Sequence, residues 1–490
     1  IGSPKGAARL LQRAGRSGHQ PDAESRLAFV PTNAIELIEL AAAQDAIKQG
    51  HLEARPLLKK PLDVLAQHVV TIAIGGGFES QALLDEIRST FAYESLTDNE
   101  WQWVLDFVVR GGTSLTAYPD FHRVKLIDGR YQVVDRRTIS NHRMNIGTIA
   151  ADAAMQVKFQ KGKTLGTAEE SFLAKLKVGD RFLFAGRLVS MLRIYDNVAY
   201  VKLAKGKADA IPRWLGGRMP LSSELSAALR RKIGEASRGQ LIGREMKSLQ
   251  GLLELQQRWS SIPNESELLI EKIKTRDGYQ LLVYPFEGRL VHEGLAALLA
   301  YRISRYQRTT FTMACSDHGF ILQSPHDIDI AAAIQRGVFS ADNLIVDITH
   351  CMNATEMAKR QFRQIARVAG LIRGGFPGQQ KSASHIQASS NLFFDVFVEY
   401  DPGNMLLEQA RREVLEFQLE TDRMLAALDR IATSQILIRV PERITPLAFP
   451  LLVDKLRERL SSESLSDRVA RMQAELETYA NQTKTGRQRA

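Results

Sequence analysis

The chain has 490 residues, 44% hydrophobic and 24% charged, and 65 Lys and Arg against 55 Asp and Glu give a net charge of +10. That length corresponds to about three domains of ordinary size, each able to bury a core. An aromatic fraction of 7% with 34 Gly and 16 Pro excludes a collagen-like or disordered chain.

No apolar run approaches the ~18 residues that a membrane span needs, and 446–453 is far too short. Cys315 and Cys351 form no CxxC pair, so neither a disulfide scaffold nor a zinc knuckle is available. The expectation is a soluble, cytoplasmic protein without a membrane partner. The first residue is Ile1 and the opening residues read as the interior of a motif. The chain is therefore expected to be the C-terminal part of a longer polypeptide.

In chain order, 34–50 has helical spacing and stops at Gly50, a residue suited to the position after a helix end. Pro56 and Pro61 punctuate a basic linker before an apolar-faced helix over 62–74, ended by Gly75, Gly76 and Gly77. A third helix covers 79–90. Thr97 followed by Glu100 is a capping box for a fourth, WQWVLDFVVR, and Asp128-Gly129 between two β-rich runs marks a hairpin. Three helices followed by a hairpin with a basic tip (Arg123, Lys125, Arg130) are the layout of a winged helix. Its groove-facing helix would normally be the third, yet here that helix carries Trp101, Trp103, Phe107 and Val108. An architectural role, packed against a neighbour, is the expectation.

Short β runs over 144–212 point to a small barrel or curled sheet. Residues 221–259 read as helical. Strands and a helix alternate over 267–350, and long amphipathic helices cover 354–372, 402–435 and 450–480. Trp259, Phe393 and Phe394 fall at packing positions. His292 and Arg289, at a helix start, are read as a polar rim or a DNA contact.

The positive charge is concentrated. Residues 136–218 hold 16 Lys and Arg against six Asp and Glu, an excess of ten, so the rest of the chain is neutral. Such a block is either a solvated face or a surface for phosphates, whose neutralisation releases counterions. Arg136, Arg137, His142 and Arg143 open the block; Arg213, Trp214 and Arg218 end it. Pro212, Gly216 and Gly217 place Trp214 in a loop, where an indole bracketed by arginines either stacks on a base of a single strand or covers a domain edge. If it stacks, it acts as a pawl tying domain movement to strand advance.

Gln12-Arg13-Ala14-Gly15-Arg16-Ser17-Gly18-His19 resembles the last ATP-contacting motif of superfamily 2 helicases, Q-x-x-G-R-x-G-R. Its chemistry is a guanidinium reaching the γ-phosphate, and such a finger contributes about 10³–10⁵ in rate in NTPases. Glycine freedom would let Arg16 point across an interdomain cleft. His19 departs from the final arginine, which leaves Arg16 as the catalytic candidate, with Gln12 and Gly15 as further ATP-binding residues.

PLDVLAQHVV (61–70), NHRMNIGTI (141–149), KTLGTAEESFLAKLKVGDRFLFAGR (163–187) and PRWLGG (212–217) resemble the large helicase-related (Lhr) family. YPFEGRLVHEGLAALLAYRISR (284–305) and ATEMAKRQFRQIARVAGLI (354–372) resemble its ligase-associated DEXH-box branch. The resemblance runs in order over nearly the whole chain. It implies an ATP-dependent, 3′-to-5′ DNA helicase acting on single-stranded DNA and on DNA or RNA–DNA duplexes in DNA repair. ATP and Mg²⁺ would be held mainly by absent motor domains, and a DNA ligase and other repair proteins are implied partners.

Three look-alikes fail. Gly162-Lys163-Thr164 has Val157 where a Walker A loop needs glycine and reads as a hairpin turn. His292-Glu293 lacks the second histidine of HExxH, with Ala296 in its place. Gly75 and Gly77 lack a third glycine, with Ser80 in its place. The chain alone is accordingly expected not to hydrolyse ATP.

The fold class expected is α+β multi-domain: 1–30 the end of a RecA-like motor domain, 31–135 a linker helix and winged helix, 136–220 a basic β-barrel-like module, and 221–490 a helical connector with a mixed α/β C-terminal module. The alternative is a non-enzymatic nucleic-acid-binding module carrying a vestigial motif at 1–20.

Overall fold

A computed structural model describes the chain apart from residues 1, 4, 18–23, 55–56, 149–153, 161, 163, 170–172, 174–177, 186, 196–197, 206–219, 276–277, 352–353, 373–374, 377–378, 381–382, 458–464 and 488–490. The first helices are α1 (Ala7–Gly15) and α2 (Ile35–Lys48). Gly50 follows α2 with φ +70°, the left-handed conformation its position calls for. Then come α3 (Leu62–Ile74), α4 (Ser80–Arg88) and α5 (Asp98–Arg110). At α5 the Thr97 hydroxyl accepts from Glu100 N–H while the Glu100 carboxylate accepts from Thr97 N–H, completing the capping box, and Gly111 closes the helix at φ +79°. Strands β1 (Lys125–Ile127) and β2 (Arg130–Gln132) form the wing. Its turn residues Asp128 and Gly129 both have positive φ, as a two-residue hairpin turn requires. Helix α6 (Arg136–Asn145) follows, in a stretch whose sequence shows no helical apolar stripe.

Strands β3 (Ala154–Phe159), β4 (Thr164–Glu169), β5 (Arg181–Phe184), β6 (Arg187–Tyr195) and β7 (Val198–Leu203) form one sheet in the order β4-β3-β7-β6-β5. β3 and β4 pair antiparallel, with Lys158 opposite Thr164; Lys163 of the Walker-like tripeptide lies outside the described residues. Met155, Val157, Phe182, Met191 and Val201 make the sheet's core. Closing the expected barrel would require β4 to pair with β5, and no such pairing is present among the described residues.

Helices α7 (Ser223–Ser237), α8 (Arg244–Ser248) and α9 (Gln250–Trp259) lead into β8 (Glu267–Thr275), β9 (Gly278–Tyr284), α10 (Arg289–Ser304), β10 (Thr312–Cys315) and β11 (Phe320–Ser324). Beyond these lie α11 (Ile330–Gln335), α12 (Leu344–Cys351), α13 (Ala354–Val368), the short ladder β12 (Gly375–Phe376) and β13 (Gln379–Gln380), α14 (Ala383–Tyr400), α15 (Met405–Glu413), α16 (Thr421–Ala432), β14 (Gln435–Arg439), α17 (Ala448–Arg457) and α18 (Leu465–Arg487). The second sheet runs β10-β11-β9-β8-β14, with β14 parallel to β8. Its central strands are near-continuous apolar runs, buried on both faces.

The single helix expected over 402–435 is broken. A π-helical turn covers Val414–Gln418, and Glu420 takes a left-handed conformation at φ 46°, held by an ion pair from Arg423 to its carboxylate at 2.6 Å. Of the helix expected over 450–480, α17 and α18 are described on either side of 458–464.

The chain separates into two units: 1–55, 218–352 and 416–490 in one, 56–217 and 353–415 in the other. Residues 221–490, read from sequence as one module, are thus divided. The reason is packing: Phe362, Ile365, Phe397, Leu406 and Leu407 join α3 and α5 in one buried cluster. Helix α2, read as part of the winged-helix segment, instead shares a core with Leu225, Leu229 and Leu282. The apolar α5 is therefore interior. Trp101 and Phe107 are buried, Trp103 stacks on Phe107 at 5.2 Å, and Phe121 meets Phe393 edge-on at 5.6 Å. Phe394 packs on Phe362. Trp259 lies half-buried against Tyr479.

Candidate nucleic-acid interface

Helix α6 begins where the wing ends. Asp135 caps it, accepting from Thr138 N–H and from the Thr138 hydroxyl, both at 2.7 Å. Arg136, Arg137 and Arg143 are exposed on it, three cations on ten residues with no acid in the helix itself. His142 is half-buried, and its Nε2 lies 2.8 Å from the Thr71 hydroxyl. That hydroxyl donates to Gln67 O, so the imidazole is the donor of the pair. Burial, reinforced by the Arg123 guanidinium, pushes the His142 pKa down to about 4. His142 is thus neutral at pH 7, and the charge of this face comes from its arginines.

Gln67 on α3 ties the end of α6 in place. Its amide donates to Gly147 O at 3.2 Å and to Val368 O at 2.9 Å, and its Oε1 accepts from Gly147 N–H at 3.1 Å. Arg123 is not at the hairpin tip, where the sequence reading puts it. It turns inward, donates to Ala369 O at 2.7 Å and lies over the Phe107 ring at 5.1 Å. Only Gly370 permits this: its φ is +79°, and a Cβ there would come within 2.5 Å of Arg123 Nη1. Lys125 and Arg130 remain exposed on the wing. On the neighbouring sheet Arg187, Lys202 and Lys205 are exposed, and Arg193 covers Tyr200 at 5.0 Å. Arg213, Trp214 and Arg218 lie outside the described residues, as does His19.

Gln12 and Arg16 stand one helical turn apart at the end of α1, and both are exposed. Gly15 closes the helix without a left-handed φ, so the bend expected of it is not seen. The helix is anchored at its other end, where Ala7 N–H and Ala8 N–H donate to the two oxygens of Glu53, and Ser222 Oγ donates to the same carboxylate at 2.8 Å. Beside that anchor Lys5 bridges Glu39 at 2.9 Å and Asp317 at 3.1 Å, while His318 Nε2 lies 2.6 Å from Glu39. Burial alone would raise the Glu39 pKa, but the His318 hydrogen bond and the Lys5 charge hold it near 2. Sequence reasoning missed this cluster because its members are far apart in the chain, the Glu39–His318 pair alone spanning 279 residues.

Among the described residues no group of three His, Cys, Asp or Glu could hold a metal ion. His292 is no DNA contact. It is fully buried, accepts from Glu287 N–H at 3.0 Å and lies 2.7 Å from Ser316 O through Nδ1, with its pKa pushed by burial to about 3.

Wing, basic helix and basic sheet together define a winged-helix protein of mixed α/β construction. Residues 45–211 match the family model for the winged helix domain of large helicase-related protein, and 262–448 match the DEAD/H associated model. The chain is 26% identical to ATP-dependent helicase Lhr-Core protein 2 of Thermococcus barophilus, over 86% of this chain and 50% of that one. It is 25% identical to ATP-dependent helicase Lhr-Core of Methanocaldococcus jannaschii, over 96% and 56%. A solved structure of Mycobacterium smegmatis helicase Lhr, bound to ssDNA and AMP-PNP, shares the fold with a TM-score of 0.66 at 21% identity, over 92% of this chain and 55% of that one. The chain belongs to the Lhr family of superfamily 2 helicases and corresponds to their C-terminal part. It spans about half the length of the curated relatives it matches. No described helix is long and apolar enough to cross a membrane.

Proposed function

We propose that this chain is the strand-engaging C-terminal portion of an ATP-dependent 3′-to-5′ DNA helicase or translocase. It acts on single-stranded DNA and on DNA or RNA–DNA duplexes in cytoplasmic DNA repair, with a DNA ligase and other repair proteins as partners of the ligase-associated branch. The observation that carries the reading is α6, three exposed arginines without an acid, directly after the wing. ATP and Mg²⁺ belong mainly to motor domains outside the 490 residues, for which the chain alone offers Gln12, Gly15 and Arg16. In that reading 1–30 closes the second motor domain, 56–217 with 353–415 carries the winged helix and the basic β module, and 31–55, 218–352 and 416–490 supply the remaining α/β body.

The test uses the longer helicase. Arg16→Ala should cut ATP turnover by about a hundredfold or more while leaving DNA affinity nearly intact, because its charge is needed where phosphate charge develops. Wild-type turnover would remove the motif assignment. Trp214→Ala should reduce unwinding much more than DNA-stimulated ATPase, since base stacking contributes about 1–3 kcal/mol. A proportional fall in both would make the indole a packing residue.

A further inference from the structure

Between α3, α6 and the end of α13 lies a cleft of about 30 Å³, lined by nine residues that include Gln67, Arg123, Asn141, His142, Asn145 and Arg367. None of the nine is acidic. The Arg367 side chain is half-buried, and among the described residues its guanidinium has no hydrogen-bond or ion-pair partner. Arg123 adds a second positive charge, fixed by its bond to Ala369 O and its seat over Phe107. Asp135, bonded to the lining residue Thr138, belongs to the exposed surface. The half-buried Arg367 guanidinium, facing a space lined by no carboxylate and with the Arg123 charge beside it, keeps poor solvation, a cost that a bound anion removes.

Size selects the anion. A cavity needs roughly 10–15 Å³ to admit one water-sized atom, so this cleft takes about two. That suits the two non-bridging oxygens of a phosphodiester and leaves no room for a planar base. The Asn141 amide lines the same space and brings a donor group suited to phosphate oxygens, while Asn145 Nδ2 donates to Asn141 O at 2.8 Å.

We propose that this cleft is a phosphate subsite holding one backbone phosphate of a single strand, with Arg367 as its principal ligand; this rests on the nucleic-acid reading above. The phosphate is contacted irrespective of the base it carries. Because the walls come from α3, α6 and α13, its binding braces the winged helix against the helical segment that follows the second sheet in the chain.

The experiment titrates the 490-residue chain with labelled oligo-dT strands, each carrying one uncharged methylphosphonate at a different linkage. Wild-type protein should show one linkage at which neutralisation weakens binding about tenfold, the scale of a lost charge-assisted hydrogen bond. Arg367→Gln should lose that dependence and reduce the slope of log affinity on log salt by about 0.7, while Arg367→Lys, which keeps the charge, should retain the slope. A flat wild-type scan, or an Arg367→Gln scan identical to wild type, overturns the subsite and leaves the broader reading standing. Failure of the wild-type chain to bind any strand overturns both. The wild-type scan needs no substitution, so a folding defect in a variant cannot obscure the result.

Discussion

Two groups of partly buried charge in this molecule are built on opposite plans. Around Glu39, two carboxylates answer Lys5 and His318, and every charge has a partner on another chain segment. Around Arg367, two guanidinium groups share a cleft with amides and no acid. The first arrangement is complete within the chain and holds the base of α1 to α2 and the β10–β11 turn. The second leaves the Arg367 guanidinium without a counter-charge among the described residues, which is what a binding surface for a polyanion requires. Charge density alone does not separate structure from recognition; the presence of counter-charges does.

The largest effect that would sharpen this contrast is on stability. Removing the charge of Glu39, which is wholly buried, takes the carboxylate away from His318 and leaves Lys5 with Asp317 alone, and losing one partner of a buried pair costs about 3–5 kcal/mol. Glu39→Gln should therefore lower the unfolding midpoint markedly in a denaturant titration and leave affinity for a single strand unchanged. A variant as stable as wild type would mean the cluster adds nothing to the fold. The acid limb follows from the same group. Its folded pKa, near 2, lies below the 4.5 of an ordinary glutamate, so the stability it contributes is present above about pH 4.5 and is lost as pH falls toward 2. In Glu39→Gln that part of the acid limb should flatten.

His142 provides a smaller, separable effect. Its pKa falls from 6.5 unfolded to about 4 folded, so the neutral form is favoured by folding. The contribution is complete above pH 6.5 and declines as pH drops to 4. A melting series for His142→Gln should lose this dependence between pH 6.5 and 4, where Glu39 is silent. An unchanged profile would show that the imidazole is not held neutral in the folded chain.

The smallest effect concerns Gly370. A Cβ there meets Arg123 and is strained at φ +79°, so Gly370→Ala should cost about 1–2 kcal/mol and displace Arg123 from Ala369 O. Strand affinity should shift less than in Arg367→Gln. If Gly370→Ala weakens binding more, Arg123 and not Arg367 is the dominant cation.

Local chemistry was readable in the sequence. The Thr97–Glu100 capping box, the Asp128-Gly129 turn and the Gly50 helix end each depend on a few adjacent residues, and all three are present. Features set by distant partners were not. Leu62 N–H and Asp63 N–H, at the start of α3, are satisfied by Gln409 Oε1 at 3.0 and 3.3 Å, from nearly 350 residues away. Arg123 looked like a wing-tip cation because its carbonyl partner lies at Ala369. The break near Glu420 escaped notice because its amphipathic pattern continues through a left-handed residue. Of the candidate site, the arginines of α6 were legible as composition; the cleft lined by other residues of that helix was not, since Arg367 is contributed by α13.

The most direct test of the central claim is the salt dependence of single-strand binding by the 490-residue chain, wild type against Arg136→Gln/Arg137→Gln/Arg143→Gln. Each phosphate contact on a single strand contributes about 0.7 to the slope of log affinity on log salt. If α6 tracks the strand, the triple variant should bind more weakly at every sequence tested, with a slope shallower by about 2. An unchanged slope and affinity would contradict the account and make these arginines a solvated face.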